Sequence, residues 1–324
     1  MNKSVPCAKK GWCKVVKNII KKILTGIPII LGVVTLIFFL LRMTGTSPVS
    51  VIAGEDASFE IIEMLNARYG FDQPIYVQWW RYITMLFRGD FGNSILTGRA
   101  IFPDLMFNFR FTLQMILAST FVSLTLGIPF GILTAIKRNS WIDHVVRIVS
   151  LLGASMPAFW VALLALRFFS VDLGWFPVMG IGTGFWNTLW HLVLPATTLG
   201  FALMALIARM TRTAMLEVMG EQYMSTAKAK GLTYFKQVMK HAFKNATIPV
   251  VTVIGLQMGR LLSVGMVIET VFFRPGLGTF LFTGITNMDF PTIQGTVIFC
   301  SLVLILINIL VDIAYSLLDP RISY

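Results

Sequence analysis

His144, His191 and His241 are the three histidines of the chain, and Cys7, Cys13 and Cys300 its three cysteines. Metal centres and nucleophilic sites are built from these residue types. The histidines are scattered and the cysteine spacing fits no zinc pattern, so no metal site is expected. Cys7 and Cys13 lie in a lysine-rich stretch and Cys300 in an apolar one; free thiols are the expectation for all three. The signatures of catalysis are missing as well. The sequence has no Gly-Lys dipeptide, hence no loop of the kind that cradles nucleotide phosphates. It has no His-Glu-x-x-His and no Gly-x-Ser-x-Gly. No catalytic residue, cofactor or enzymatic activity is expected of this chain.

The residues that could do chemistry of another kind, recognition, lie between Ser225 and Asn245: STAKAKGLTYFKQVMKHAFKN, with five lysines and no acid. Upstream, the run from Arg209 to Gly231 is a strong helix former. It puts Met215, Met219 and Tyr223 on one stripe, with Leu216, Met224 and Ala227 beside it. Small side chains then crowd in at Ser225, Thr226, Ala227 and Ala229, and Gly231 stands where a helix stops. A second helix is expected from Leu232 onward, running into the apolar sequence after Asn245. A short helix of small residues can enter a groove on another protein, because nothing bulky blocks its approach. The lysines alone fit equally well with a basic anchor lying on anionic lipid.

The elements around this stretch are those of a membrane protein. The 324 residues are 56% hydrophobic and 13% charged, against about 25% charged in soluble domains. Ile23–Leu41, Phe111–Ile136, Ile148–Leu166 and Phe290–Val311 carry no charge, and Leu192–Ala208 and Asn245–Ile268 are weaker blocks, the last interrupted by Arg260. About 20 apolar residues span a bilayer as a helix, which gives six expected spans in an all-α integral membrane protein. The net charge of +12 does not point to nucleic acid, because the charges are sorted by side. Met1–Lys22 has seven lysines and no acid, Thr44–Asn108 has seven acids and four arginines, and Arg209–Asn245 has seven Lys/Arg and two Glu. This is a positive-inside pattern, placing both termini and the 209–245 segment in the cytoplasm. The first apolar block is long for a signal peptide and ends in Arg42, so an uncleaved first span is expected.

Two helices are expected in the external segment Thr44–Asn108. One carries Phe59, Ile62, Leu65 and Tyr69 on a face; the other carries Val77, Trp80, Ile83, Thr84 and Phe87. They would serve as a lid on the span ends or as a docking surface. Pro28, Pro129, Pro157, Pro195 and Pro249 fall in or at the edges of spans, and Gly127/Gly131 and Gly255/Gly259 are pairs that permit close helix contact. Arg167 and Arg260 could snorkel if near span ends, and a structural ion pair is expected for Asp312.

The stretch Ser225-Thr226-Ala227-Lys228-Ala229-Lys230-Gly231 resembles the coupling loop of binding-protein-dependent ABC importer permeases, in its peptide/nickel-class version. Ser225 stands for the usual Glu, and Lys244 where many members have Pro. FDQPIYVQWWRYITMLFRGDFGNSI, LPATTLG, ETVFFRPGLG (Glu269–Gly278), DFPTIQG (Asp289–Gly295) and the ending LLDPRISY are similar to the class in order and spacing. RMTGTSP and the lysine-rich extension before Ile19 depart from it.

The resemblance implies a type I ABC importer permease in the bacterial inner membrane. Residues 1–22 would be a basic cytoplasmic tail, 23–43 the first span and 44–109 an external segment. Residues 110–317 would form the transmembrane core, with a cytoplasmic coupling loop over 209–247, and 318–324 a cytoplasmic C-terminus. The implied partners are a second homologous permease subunit in a heterodimer, two cytoplasmic ATPases that bind the ATP and Mg, an extracytoplasmic substrate-binding protein and membrane lipid. Ser225–Gly231 would seat in a groove on one ATPase, with Thr226, Ala227, Lys230 and Gly231 as contacts. A peptide is the first expectation for cargo, with nickel or a metal–metallophore complex as the alternative. A stand-alone secondary transporter or channel is the rival of another class, and would call for ionisable residues in several spans or inverted halves.

Overall fold

The computed structural model describes residues 7–43 and 58–318, together with positions 49 and 53. Most of RMTGTSP and the last six residues of the chain lie outside them. Helices make up nearly all the regular structure: α1 (Cys7–Met43), α2 (Phe59–Tyr69), α3 (Ile75–Phe87), α4 (Ile101–Ile136), α5 (Trp141–Ser155), α6 (Ala158–Ala165), α7 (Phe185–Met219), α8 (Gln222–Ala229), α9 (Tyr234–Lys236), α10 (Phe243–Val271), α11 (Leu277–Thr286) and α12 (Phe290–Leu318). A π-helical turn, Leu166–Asp172, prolongs α6, and another, Gln237–Ala242, joins α9 to α10.

Five segments are long and apolar enough to cross a bilayer: Ile19–Met43, Ile101–Ile136, Phe185–Met219, Pro249–Val271 and Phe290–Ile313. A continuous sixth span over Ile148–Leu166 does not form. α5 stops at Ser155, and the helix beginning at Ala158 leaves at 110° to it. Pro157 is the cause: it has no N–H to continue the ladder, and it drives Met156 into an extended conformation (φ −82°, ψ 137°). The pair counts as a sixth span only in this broken form.

The chain divides into two compact units. The first comprises Met1–Phe111 and Pro275–Ile309. There, α3 packs through Trp79, Tyr82, Ile83 and Leu86 against Val34 of α1 and Ile298 of α12. This corrects the expected face: of Val77, Trp80, Ile83, Thr84 and Phe87, only Ile83 is buried, and Trp80 and Phe87 are more than half exposed. The buried face is offset by about one residue from the expected one, because aromatic or large apolar side chains flank it on both sides, at Trp79 and Trp80 and at Leu86 and Phe87. At the end of α1, Arg42 donates from Nε and Nη2 to Gln78 Oε1 (3.0 and 2.8 Å) and lies over the Phe38 ring. α3 is thereby tied by polar bonds as well as by packing. α2 has no buried residue.

The second unit comprises Thr112–Arg274 and Leu310–Tyr324. Its central element is α7, the most buried of the spans. At 35 residues it is about 52 Å long, well beyond the hydrocarbon thickness of about 30 Å. Small residues bring α4 against it. A Cβ on Gly131 would lie 2.5 Å from Thr211 Cβ and 2.7 Å from the Ala208 carbonyl, and one on Gly127 2.9 Å from the Met204 carbonyl. Ser123 Oγ bridges the same two helices, donating to the Gly200 carbonyl at 2.8 Å. The Gly127/Gly131 pair therefore serves packing.

Candidate coupling site

The long helix expected from Arg209 to Gly231 is interrupted. α7 ends at Met219, Gly220 and Glu221 turn the chain, and α8 starts at Gln222, where the Met224 N–H donates to the Glu221 carbonyl (3.0 Å). Gly220 supplies the weak point, since glycine is the poorest helix former after proline. The turn lets Met215 of α7 and Met224 of α8 enter one cluster with Ala135, Ala214, Val238, Ala242 and Ala246. A straight helix could not direct both side chains into it so closely.

α8 is pinned by its first half and open along its second. Met224 is buried, and Tyr223 Oη accepts from Asn245 Nδ2 at 2.9 Å. Ser225, Thr226, Ala229, Lys230 and Gly231 are exposed. Ala227 and Lys228 lie in the helix, with side chains outside the described residues. The Lys230 N–H closes the last turn on the Thr226 carbonyl (3.1 Å), and Gly231 takes φ +74°. A Cβ on Gly231 would meet nothing within 4 Å, so glycine is required there by backbone conformation and not by space. The next helix begins as expected, with Gln237 Nε2 reaching back to the Leu232 carbonyl at 2.6 Å. Its first turn carries exposed Tyr234 and Phe235. Sequence reading passed over both rings: at four and three residues before Val238 they continue the spacing of the Val238–Ala242–Ala246 stripe, and no local signal marks them as exposed.

A buried ion pair that sequence reading missed supports the base of this site. Asp143, in the first turn of α5, has a fully buried side chain. Arg212 of α7 grips it with two bonds, Nε to Oδ1 at 2.8 Å and Nη2 to Oδ2 at 2.9 Å. The Asn139 N–H donates to Oδ2 at 3.0 Å, and Arg147 Nε lies 3.4 Å from Oδ1. Two-pronged arginine–carboxylate bonding is strong and directional, so it fixes α5 to α7 two turns before Met219. A lone acid in the basic segment 137–147 was the available signal.

In the other unit, Asp289 organises a second constellation. Its Oδ2 accepts from Ser94 Oγ (2.6 Å) and Thr292 Oγ1 (2.7 Å), and its Oδ1 from the Ile95 N–H (3.1 Å). This joins GNSI to DFPTIQG, two stretches nearly 200 residues apart. Of the other ionisable residues, Arg167 pairs with Asp172 (2.9 Å), Asp312 is half-buried on α12, and Arg260 sits at the midpoint of Pro249–Val271.

These features define a multi-pass membrane protein with a short helix displayed beyond the end of its most buried span. Residues 127–324 match the family described as "Binding-protein-dependent transport system inner membrane component", and residues 15–124 match the N-terminal part of such components. The chain belongs to this family. It is an ABC importer permease of the peptide/nickel class, in the inner membrane. The family implies a substrate-binding protein and an ATPase as partners.

Among its relatives, the glutathione transport system permease protein GsiC of Salmonella paratyphi A is 40% identical over 306 residues, 94% of this chain and 98% of that one. GsiC of Escherichia coli is 39% identical over the same coverage. A chain of the MetNI methionine ABC transporter, in an inward-facing conformation, matches with a TM-score of 0.53 at 21% identity, covering 66% of this chain and 96% of that one. That likeness establishes the type I importer permease fold. Membership of the family sets aside the stand-alone transporter or channel.

Proposed function

We propose that this chain forms one half of the translocation pathway for a peptide, and that α8 with Gly231 transmits ATPase motion to the spans. The observation that carries the coupling role is the construction of α8. Its first half is anchored to the spans by Met224 and Tyr223, and its second half is exposed, small and closed by a left-handed glycine. An element anchored on one side and bare on the other can pass a displacement from a partner into the helices it is fixed to. Thr226, Ala227, Lys230 and Gly231 are the proposed contacts, within Ser225–Gly231.

In this reading the second half of the pathway is a homologous permease subunit, and two separate ATPases bind the ATP and Mg. The segments follow the domain boundaries given above, and both termini lie on the ATPase side. The relatives named for glutathione transport support a peptide as cargo. The test is co-purification from native membranes in mild detergent, with all partners identified by mass spectrometry. Recovery of polypeptides carrying Gly-x-x-x-x-Gly-Lys-Ser/Thr together with a second permease is expected. Recovery of the chain alone would overturn the assembly. Any binding protein recovered is then assayed with glutathione and with nickel; binding of nickel alone would replace the peptide reading.

A further inference from the structure

α5, α6, α7 and α10 enclose a cleft of about 230 Å³ within one unit of the fold. Its walls are small and apolar, Ala154, Ala158 and Ala202 among them, and three polar side chains enter it: Arg209 from α7, and Gln257 and Arg260 from α10. Gln257 and Arg260 are one turn apart on the same face. Neither arginine has a hydrogen-bond or ion-pair partner among the described residues, and both are exposed. Arg260 lies at the middle of its span, the depth at which a lone cation is costliest. The broken span forms another wall. Gly153, Met156 and Pro157 line the cleft, and Pro157 has no N–H to return to the Gly153 carbonyl.

We infer that this cleft is a substrate station in which Arg209 and Arg260 receive the C-terminal carboxylate of the transported peptide and Gln257 donates to it. A guanidinium matches a carboxylate with two parallel bonds, and an unpaired arginine on an apolar span is satisfied when an anion enters the cleft beside it. The free carbonyl at the break between α5 and α6 is suited to the ammonium group of the same molecule, because broken spans offer charged substrate groups their helix ends. The inference rests on the peptide reading above and assigns residues to it.

The test uses the complete importer in proteoliposomes, with its binding protein at saturating concentration. Uptake of glutathione is compared with that of glutathione monoethyl ester, which lacks the glycyl carboxylate. The quantity read is the acid-to-ester rate ratio of each variant relative to wild type, so the preference of the binding protein cancels. Arg260→Gln is expected to lower this ratio about ten- to hundredfold, the worth of a charged hydrogen bond. Arg260→Lys is expected to recover part of it, and co-elution of each variant with its partners checks assembly. An unchanged ratio in an assembled Arg260→Gln importer overturns the station while leaving the peptide reading intact. Wild-type uptake of neither compound, nor of any of a panel of di- and tripeptides, overturns both. If the ratio is unchanged but anionic phospholipid co-purifies with wild type and not with Arg260→Gln, the oxyanion held is a lipid phosphate.

Discussion

Gly231→Val isolates the backbone's part in coupling. Gly231 holds φ +74°, and a Cβ there finds open space within 4 Å. The steric contribution to the cost is therefore nil, and what remains is the strain of a left-handed conformation, about 1–2 kcal/mol for an L-residue. That strain reduces the population of the native turn about 5- to 30-fold. Gly231 is exposed and makes no core contact, so the loss falls on the direction in which α8 leaves the turn and not on global stability. Asn tolerates this region better than other side chains, so Gly231→Asn should retain most function, Gly231→Ala less, and Gly231→Val least. The assay is substrate-stimulated ATP hydrolysis and uptake by the reconstituted importer, alongside thermal unfolding in detergent. The expected result is a fall in coupled uptake in that order, with the unfolding temperature nearly constant. Normal uptake and normal ATPase stimulation in Gly231→Val would refute the reasoning. Equal damage by Asn and Val would show that glycine is needed there for partner contact and not for its conformation.

Further substitutions probe the ion pair, the close packing and the Asp289 constellation of the two units. Asp143→Asn removes the charge and one of the two acceptor oxygens of a two-pronged bond and leaves Arg212 largely buried beside a neutral amide, at a cost of about 3 kcal/mol. A double-mutant cycle with Arg212→Gln, read by thermal unfolding, should give a coupling of about 1–3 kcal/mol, and strict additivity would contradict the pair. Gly131→Ala inserts a methyl 2.5 Å from Thr211 Cβ and should cost about 1–3 kcal/mol. Gly32→Ala, with nothing within 4 Å, should instead be neutral or stabilising by about 0.5–1 kcal/mol. Asp289→Ala strands the Ser94, Thr292 and Ile95 donors and should cost about 3 kcal/mol, read by the same unfolding assay.

The spans and the Gly231 stop were legible because each rests on a local rule: a length of apolar chain, and one residue able to take positive φ. What was not legible depends on three dimensions. Pro157 was visible, but only the structure shows that it breaks the helix completely instead of bending it. Gly220 was read through as part of a helix, because the helix formers around it outweighed one glycine in a window. The buried face of α3 was misread by one residue because large apolar side chains stand side by side at Trp79/Trp80 and Leu86/Phe87, and the choice between them was made by Val34 and Ile298. Asp143 and Asp289 each find partners far away in sequence, at Arg212 and Ser94, and nothing in the chain announces those distances. Arg209 read as the start of a basic loop. It lies instead within α7 and shares a cleft with Arg260.

The central claim is that α8 meets an ATPase, and site-specific cross-linking tests it most directly. A photoreactive amino acid replaces Thr226, which is exposed on α8 next to the anchored Met224. Native membranes are irradiated and the adducts sequenced. The account predicts an adduct with a polypeptide carrying Gly-x-x-x-x-Gly-Lys-Ser/Thr, whose yield changes on adding ATP. Adducts with lipid alone, in membranes where the ATPase is present, would contradict it and make α8 a membrane-surface anchor.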